Sequence, residues 1–267
     1  EDFYNNLSTN LEQIIEGESE VGIAEIQAET VSLTPKNKAD YLNEKLNEVR
    51  KNKLKLLKHN VSELDECISR LKGITGRNYE TVTTRPSLDL EWFVSRALMV
   101  LNDAIDIKPN YKIGDDGIPT GFRANVPDIE CYYSTFGMTV EVTLLNGRDQ
   151  WYAEGQPVMR HHRQFEESCG TDENYCIFVA PTVHTDTLNS FWMSSKYEYD
   201  GQPQNIIPLT LTQFIKVLEL SKEKLSRNEL NHETLKTLLN SFKSQLDNSA
   251  SSSEWISSFP ALIDSWS

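Results

Sequence analysis

The run Tyr175-Cys-Ile-Phe-Val-Ala180 constrains this chain more than any other stretch. Six continuous apolar residues are too few for a buried helix and lack the alternation of a strand with one wet face, so they predict a strand buried on both sides. Such a strand needs helices above and below it. Residues 86–103 and 154–167 have helical periodicity, and Leu211, Phe214, Ile215, Leu218 and Leu225 place an apolar stripe on a further long helix. Two more strands are expected at 126–133 and 138–145, joined by a short turn around Phe136-Gly137, and another at 206–209. Strands interleaved with helices predict a layered α/β domain over residues 80–267. Its last part, 255–266, is an apolar segment expected to dock on the domain after a Ser-rich linker at 247–254.

The first 75 residues read differently. Residues 1–34 hold eight acidic residues and no Lys or Arg, and their short apolar stretches at 11–15 and 21–26 suggest fragments rather than a complete core. Thr34-Pro35 marks a helix start. Apolar positions from Leu42 to Leu71, including Leu56, follow helical spacings, with a break near Asn60 suggested by the capping-box form of Ser62 and Asp65. Residues 1–75 are thus expected to form an acidic segment and a helical connector.

Charge bears on partners. Forty acidic residues against 26 basic ones give −14, which counts against nucleic acid, since phosphate binding rests on Lys and Arg. The stretch 36–58 runs the other way, with eight basic and three acidic residues; a basic patch and an ordinary solvated helix face both fit it. No apolar run approaches the ~20 residues that a membrane-spanning helix needs. Residues 1–8 are polar, without a signal-peptide pattern, so a cytoplasmic protein without a membrane partner is expected. The four cysteines show neither a C-x-x-C pair nor zinc-type spacing with the five histidines, which argues for reduced thiols.

The chemistry-bearing stretch is Val126-Pro-Asp-Ile-Glu130 followed by Val140-Glu-Val-Thr143. A carboxylate at the start of one strand and another on its hairpin neighbour can serve one Mg²⁺, and the Val142 carbonyl is positioned to add a third oxygen. Glu141 and Thr143 share one face of their strand, Met138, Val140 and Val142 the other. Glu91 lies on the apolar stripe of its helix with Val94 and Leu98, where it needs a partner or a cation; a helix-border acid with a neighbouring base is the structural alternative. Glu154 sits at the entry of the next helix, a position that the helix dipole alone also favours. Arg160, His161, His162 and Arg163 form a short basic cluster, readable as phosphate contacts or as a solvated face.

Taken as a set, Leu90-Glu91-Trp92, Pro127-Asp128, Val140-Glu141-Val142-Thr143, Glu154 with Pro157 and Arg160-His161, Cys176-Ile-Phe-Val-Ala-Pro181 and Ile206-Ile-Pro-Leu209 resemble the cleavage domain of the AlwI-type restriction endonucleases. That family includes type IIS and BstNBI-like nicking enzymes within the PD-(D/E)xK nuclease superfamily. The likeness covers about 86–220. It implies a mixed sheet flanked by helices and a Mg²⁺-dependent endonuclease, with Mn²⁺ as substitute, acting on double-stranded DNA. It further implies metal ligation by Asp128, Glu141 and the Val142 backbone, and catalytic support from Glu154 and Glu91. Sequence recognition is expected outside these residues, and a second nuclease subunit is a candidate partner for double-strand cleavage. One departure stands out: the Lys of (D/E)xK is Thr143. A second metal, Glu154 or Arg160 is then expected to take over its work, the alternative being a catalytically silent DNA-binding or partner subunit of the same fold. A helical interaction protein with purely structural carboxylates is a third reading.

Overall fold

A computed structural model describes residues 2–19, 22–55, 57–76, 79–101, 103–114 and 116–267, in two compact units, Glu1–Lys58 and His59–Ser267. The expected apolar positions Val21 and Leu56 lie outside the described residues.

The first unit holds α1 (Asp2–Glu18), α2 (Ile23–Thr30) and α3 (Pro35–Lys55). Leu11, Ile15, Ile26, Leu42 and Leu46 pack into one cluster, so the acidic segment and the helix after Pro35 share a core that neither has alone. Their charges also meet: Lys38 pairs with Glu12 at 2.5 Å and Lys45 with Glu29, which draws two lysines of the basic stretch into internal ion pairs. The side chains of Arg50, Lys51, Lys53 and Lys55, which carry half of that basic stretch, lie outside the described residues.

The second unit contains α4 (Val61–Ile74), α5 (Pro86–Val100), β1 (Asp106–Pro109), β2 (Lys112–Ile113), β3 (Pro119–Gly121), β4 (Ile129–Tyr132) and β5 (Gly137–Val142). There follow α6 (Gly147–Gln150), a π-helical turn at Trp151–Gly155, α7 (Gln156–Cys169), β6 (Asn174–Ala180), α8 (Thr185–Lys196), β7 (Ile206–Thr210), α9 (Leu211–Ser226), α10 (His232–Asn248), α11 (Ser252–Ser257) and α12 (Phe259–Ser265). The main sheet has the order β1-β4-β5-β6-β7, antiparallel from β1 to β5 and parallel from β5 to β7; β2 and β3 form a separate hairpin. Every residue of β5 and β6 is buried, as the continuous apolar run demands.

Two helical layers cover the sheet. Val158 of α7 and Phe191 of α8 pack on Cys176, Phe178, Ala180 and Ile206. On the other face, Leu98 of α5 and residues of α9 and α10 gather around Met138, Ile177 and Ile207. The 255–266 segment docks as two short helices: Trp255 and Phe259 are buried, and the Trp255 indole donates to the Phe242 carbonyl at 2.9 Å. Gly137 opens β5 where a Cβ would stand 2.4 Å from both Asn174 Oδ1 and Cys169 Sγ, so only glycine lets the end of α7 close on the sheet. Asn60 caps α4, accepting the Glu63 N–H at 3.2 Å; Ser62 lies inside the helix, so the expected break is present but its cap is two residues earlier. Among the described residues, no helix is long and apolar enough to cross a membrane.

Candidate active site

The hairpin β4–β5 and the end of β1 set the first carboxylate. Tyr133 N–H donates to the Phe136 carbonyl at 3.0 Å, a tight turn that fixes the pairing of Ile129 with Val140. Asn110, just past β1, donates its backbone N–H to the Asp128 carbonyl and its side-chain amide to the Pro127 carbonyl, each at 2.8 Å, and so pins the Pro-Asp pair ahead of β4. The Asp128 carboxylate then accepts the Val142 N–H at 2.8 Å, which ties it to the last residue of β5.

Glu141 and Thr143 project toward α7, the opposite side from Met138, as the strand alternation requires. Glu91 comes from α5, and Glu154 from the π-helical turn. That turn has a local cause: Pro157 has no N–H to donate one turn back, and its ring crowds the preceding turn, so a regular α-helix cannot run through it. The sequence expectation of a regular helix from 154 is therefore corrected; α7 starts at Gln156 and Glu154 lies on a widened turn before it.

Glu91, Asp128, Val142, Thr143 and Glu154 line one open cleft, together with Pro86, Ser87 and Phe122; Glu141 lies buried beside it. These acids raise one another's pKa. Burial pushes Glu91 up to about 9, helped by Asp128 and Glu154 and opposed by Arg85. Burial and then the Glu141 charge lift Asp128 well above the usual range, against the Val142 hydrogen bond. Glu141 is raised by burial, then by Glu154 and Glu91. Glu154 is raised by burial and held back by the Thr143 hydroxyl and by His161.

A divalent cation fits this donor set. Hard carboxylate oxygens that repel one another in a partly desolvated cleft, with no Lys or Arg among the lining residues, are stabilised by a hard cation. Among the described residues, no three acidic, imidazole or thiol groups are already gathered as a complete ligand set.

The basic cluster divides. His162 is fully buried, with Nδ1 3.1 Å from the Thr139 hydroxyl and Nε2 3.3 Å from Glu166. Arg163 donates to the carbonyls of Tyr199 and Gln202 at 2.6 and 2.7 Å and pairs with Glu166 at 2.7 Å. Neither side chain is placed to reach a phosphate, a correction to the reading of 160–163 as one contact surface. The reason is helical geometry, because four successive residues point almost all the way round a helix. His161 turns to Glu141 instead, its Nδ1 3.0 Å from Glu141 Oε1, a contact that the sequence reading missed. Burial and the neighbouring Arg160 lower its pKa. Arg160 is half-buried, with no carboxylate partner among the described residues.

The layered mixed sheet with this acidic cleft is a restriction-endonuclease fold. The small subunit of the heterodimeric restriction endonuclease R.BspD6I shares it, with a TM-score of 0.62, 23% identity, and coverage of 74% of this chain and 98% of that one. The family model described as AlwI restriction endonuclease matches residues 1–217, and the chain belongs to that family. The match begins in the first helical unit, well before the 86–220 span that carries the resemblance in the motifs. A comparison with curated proteins finds no match.

Proposed function

We propose that this protein is a Mg²⁺-dependent deoxyribonuclease of the type IIS or nicking kind, using Mn²⁺ as substitute and cutting one strand of duplex DNA per active site. The observation that carries the reading is the convergence of Glu91, Asp128, Glu141 and Glu154 around a cleft with no Lys or Arg among its described lining residues. Residues 80–267 are assigned as the nuclease domain, since all four acids fall there.

Asp128, Glu141 and the Val142 carbonyl would hold the metal. A divalent ion supplies, when bound, Lewis-acid polarisation of the scissile phosphate and a lower pKa for the attacking water. The Val142 N–H fixes one Asp128 oxygen and leaves the other free to ligate. His161 holds Glu141 by one oxygen in the same way, the outer-shell arrangement that sets ligand direction. Glu154, with its raised pKa, takes the general-base or water-orienting work that Lys performs in the superfamily, and the Thr143 hydroxyl beside it keeps its carboxylate aligned. Glu91 adds a fourth acid for a second ion. By analogy with the heterodimeric relative, a second nuclease subunit is the proposed partner for double-strand cuts.

The test is plasmid nicking by the purified chain in Mg²⁺, with an EDTA control, beside Asp128→Ala and Glu141→Ala. Both variants are expected to lose nicking below detection while folding as well as the wild type or better, since each removal relieves like-charge repulsion. Full nicking in EDTA, or by both variants, overturns the assignment. A wild-type chain that binds DNA but never nicks it supports the silent-subunit reading.

A further inference from the structure

We propose that Arg85, Arg123, Arg148 and Arg160 form a clamp for the backbone phosphates of duplex DNA on either side of the cleft. The proposal rests on the endonuclease reading of that cleft and names the groups that would hold its substrate.

Half of the arginines whose side chains are described are neutralised within the fold. Arg70, Arg96, Arg163 and Arg227 each pair with a glutamate, at 2.7, 2.5, 2.7 and 3.2 Å. The four named in the proposal have no carboxylate partner among the described residues, and each lies within a few positions along the chain of a residue that lines the cleft or bonds to one of its acids. Arg85 directly precedes Pro86, Arg123 directly follows Phe122, and both Pro86 and Phe122 line the cleft. Arg148 lies on α6 between two lining residues, Leu145 and Glu154. Arg160 neighbours His161, which bonds to Glu141.

Arg85 is also preorganised. Its guanidinium carbon stands 4.3 Å from the Phe122 ring centroid. Stacking uses the face of the guanidinium and leaves the N–H donors, which lie in its plane, free for a bidentate acceptor. When ionised, the three lining acids and Glu141 beside them repel a phosphodiester, so productive approach requires cations at the rim that leave the metal site itself empty of them. Guanidinium groups match phosphate oxygens two by two. Because they come from four separate segments, they suit a backbone that runs across the cleft rather than a single small phosphate.

The test measures binding of the full chain to a short labelled duplex in EDTA, so that no cleavage occurs, across a range of salt concentrations. Each Arg→Gln change at the four positions is expected to flatten the slope of log affinity against log salt by about 0.9, and the quadruple variant by about 3.6. Arg227→Gln, at an exposed paired arginine, should leave the slope unchanged. Inorganic phosphate and mononucleotides, added as competitors, should displace the duplex only at concentrations where ionic strength alone would. A quadruple variant with the wild-type slope overturns the clamp, as does equal loss in Arg227→Gln, displacement by mononucleotide alone, or a wild-type chain that does not bind the duplex at low salt. Nicking assays in Mg²⁺ separate the two readings. A wild type that nicks, with a quadruple variant of unchanged slope, sinks the clamp alone; a wild type that never nicks, with the slope reduced as expected, sinks the nuclease reading alone.

Discussion

Helix α5 buries two carboxylates two positions apart, on sides of opposite character. Asp89 faces the segment before the helix and accepts three hydrogen bonds, from the Tyr79 hydroxyl at 2.7 Å, the Val82 N–H at 2.9 Å and the Thr83 N–H at 2.7 Å. Glu91 faces the cleft, where no hydrogen bond or ion pair from the described residues reaches it and its strongest electrostatic neighbour is Asp128. Both are buried, at 0% and 4% exposure. The difference teaches that burial does not mark a functional acid; the partner does. An acid given donors holds the chain in place, whereas an acid given other acids creates a demand for a cation.

The largest expected effect breaks the structural half of that comparison. Asp89→Ala leaves two backbone N–H groups and a phenol without their acceptor, and should cost about 3 kcal/mol or more in a denaturant titration. Glu91→Gln, measured beside it in metal-free protein, should be neutral or stabilising. Similar losses in both would show that the two acids have the same role.

A second effect lies in pH. Glu91 has an ordinary pKa of 4.5 and a folded-state value of about 9, so across that window the folded chain holds a proton that the unfolded chain releases. Stability of the metal-free protein must therefore fall as pH rises between those values, by at most about 1.4 kcal/mol per pH unit from this one group. Asp128 and Glu141, also raised, add in the same direction. Melting temperatures in EDTA should drop from mildly acidic to mildly basic pH, with a shallower drop in Glu91→Gln. A melting temperature that is flat or rises over that range would contradict the acid cluster as described.

The smallest effect concerns Thr143, which lines the cleft beside Glu154. Thr143→Ala removes a hydroxyl that accepts the Leu145 N–H at 3.1 Å and lies beside Glu154, but no charge. Nicking should fall only a few-fold, the loss expected of one neutral hydrogen bond. A loss as deep as that of Asp128→Ala would mean that Thr143 itself takes part in the reaction, and the proposed assignment of water orientation to Glu154 or a metal would be dropped.

Legibility followed physics of short range. The strands β6 and β7, the hairpin β4–β5 and the helices α5 and α9 could be read because continuous apolar runs and helical stripes are local patterns. The strands β1, β2 and β3 could not, since Asp106–Pro109, Lys112–Ile113 and Pro119–Gly121 are short and polar and exist by pairing with partners elsewhere. α8 and α10 went unread between clearer signals. At the site, the sequence placed Asp128 and Glu141 on neighbouring strands but left structural alternatives open for Glu91 and Glu154; the fold brings Glu91, Asp128 and Glu154 to line one cleft. The splitting of the 160–163 cluster was available too, had the helical period been applied to four successive residues.

The amino-acid sequence by itself determined the buried strands, the helical layers they require and the set of acids on adjacent strands, because hydrophobic alternation and side-chain direction repeat within a few residues. Only the tertiary structure decided which of those groups have partners. Asp89 finds donors and Glu91 finds acids, His161 turns to Glu141 while His162 turns to Thr139, and Arg163 is spent on backbone carbonyls while Arg85 stacks on Phe122. The electrostatic environment of a side chain is a sum over neighbours that are distant along the chain, and it comes into being only when packing brings them together.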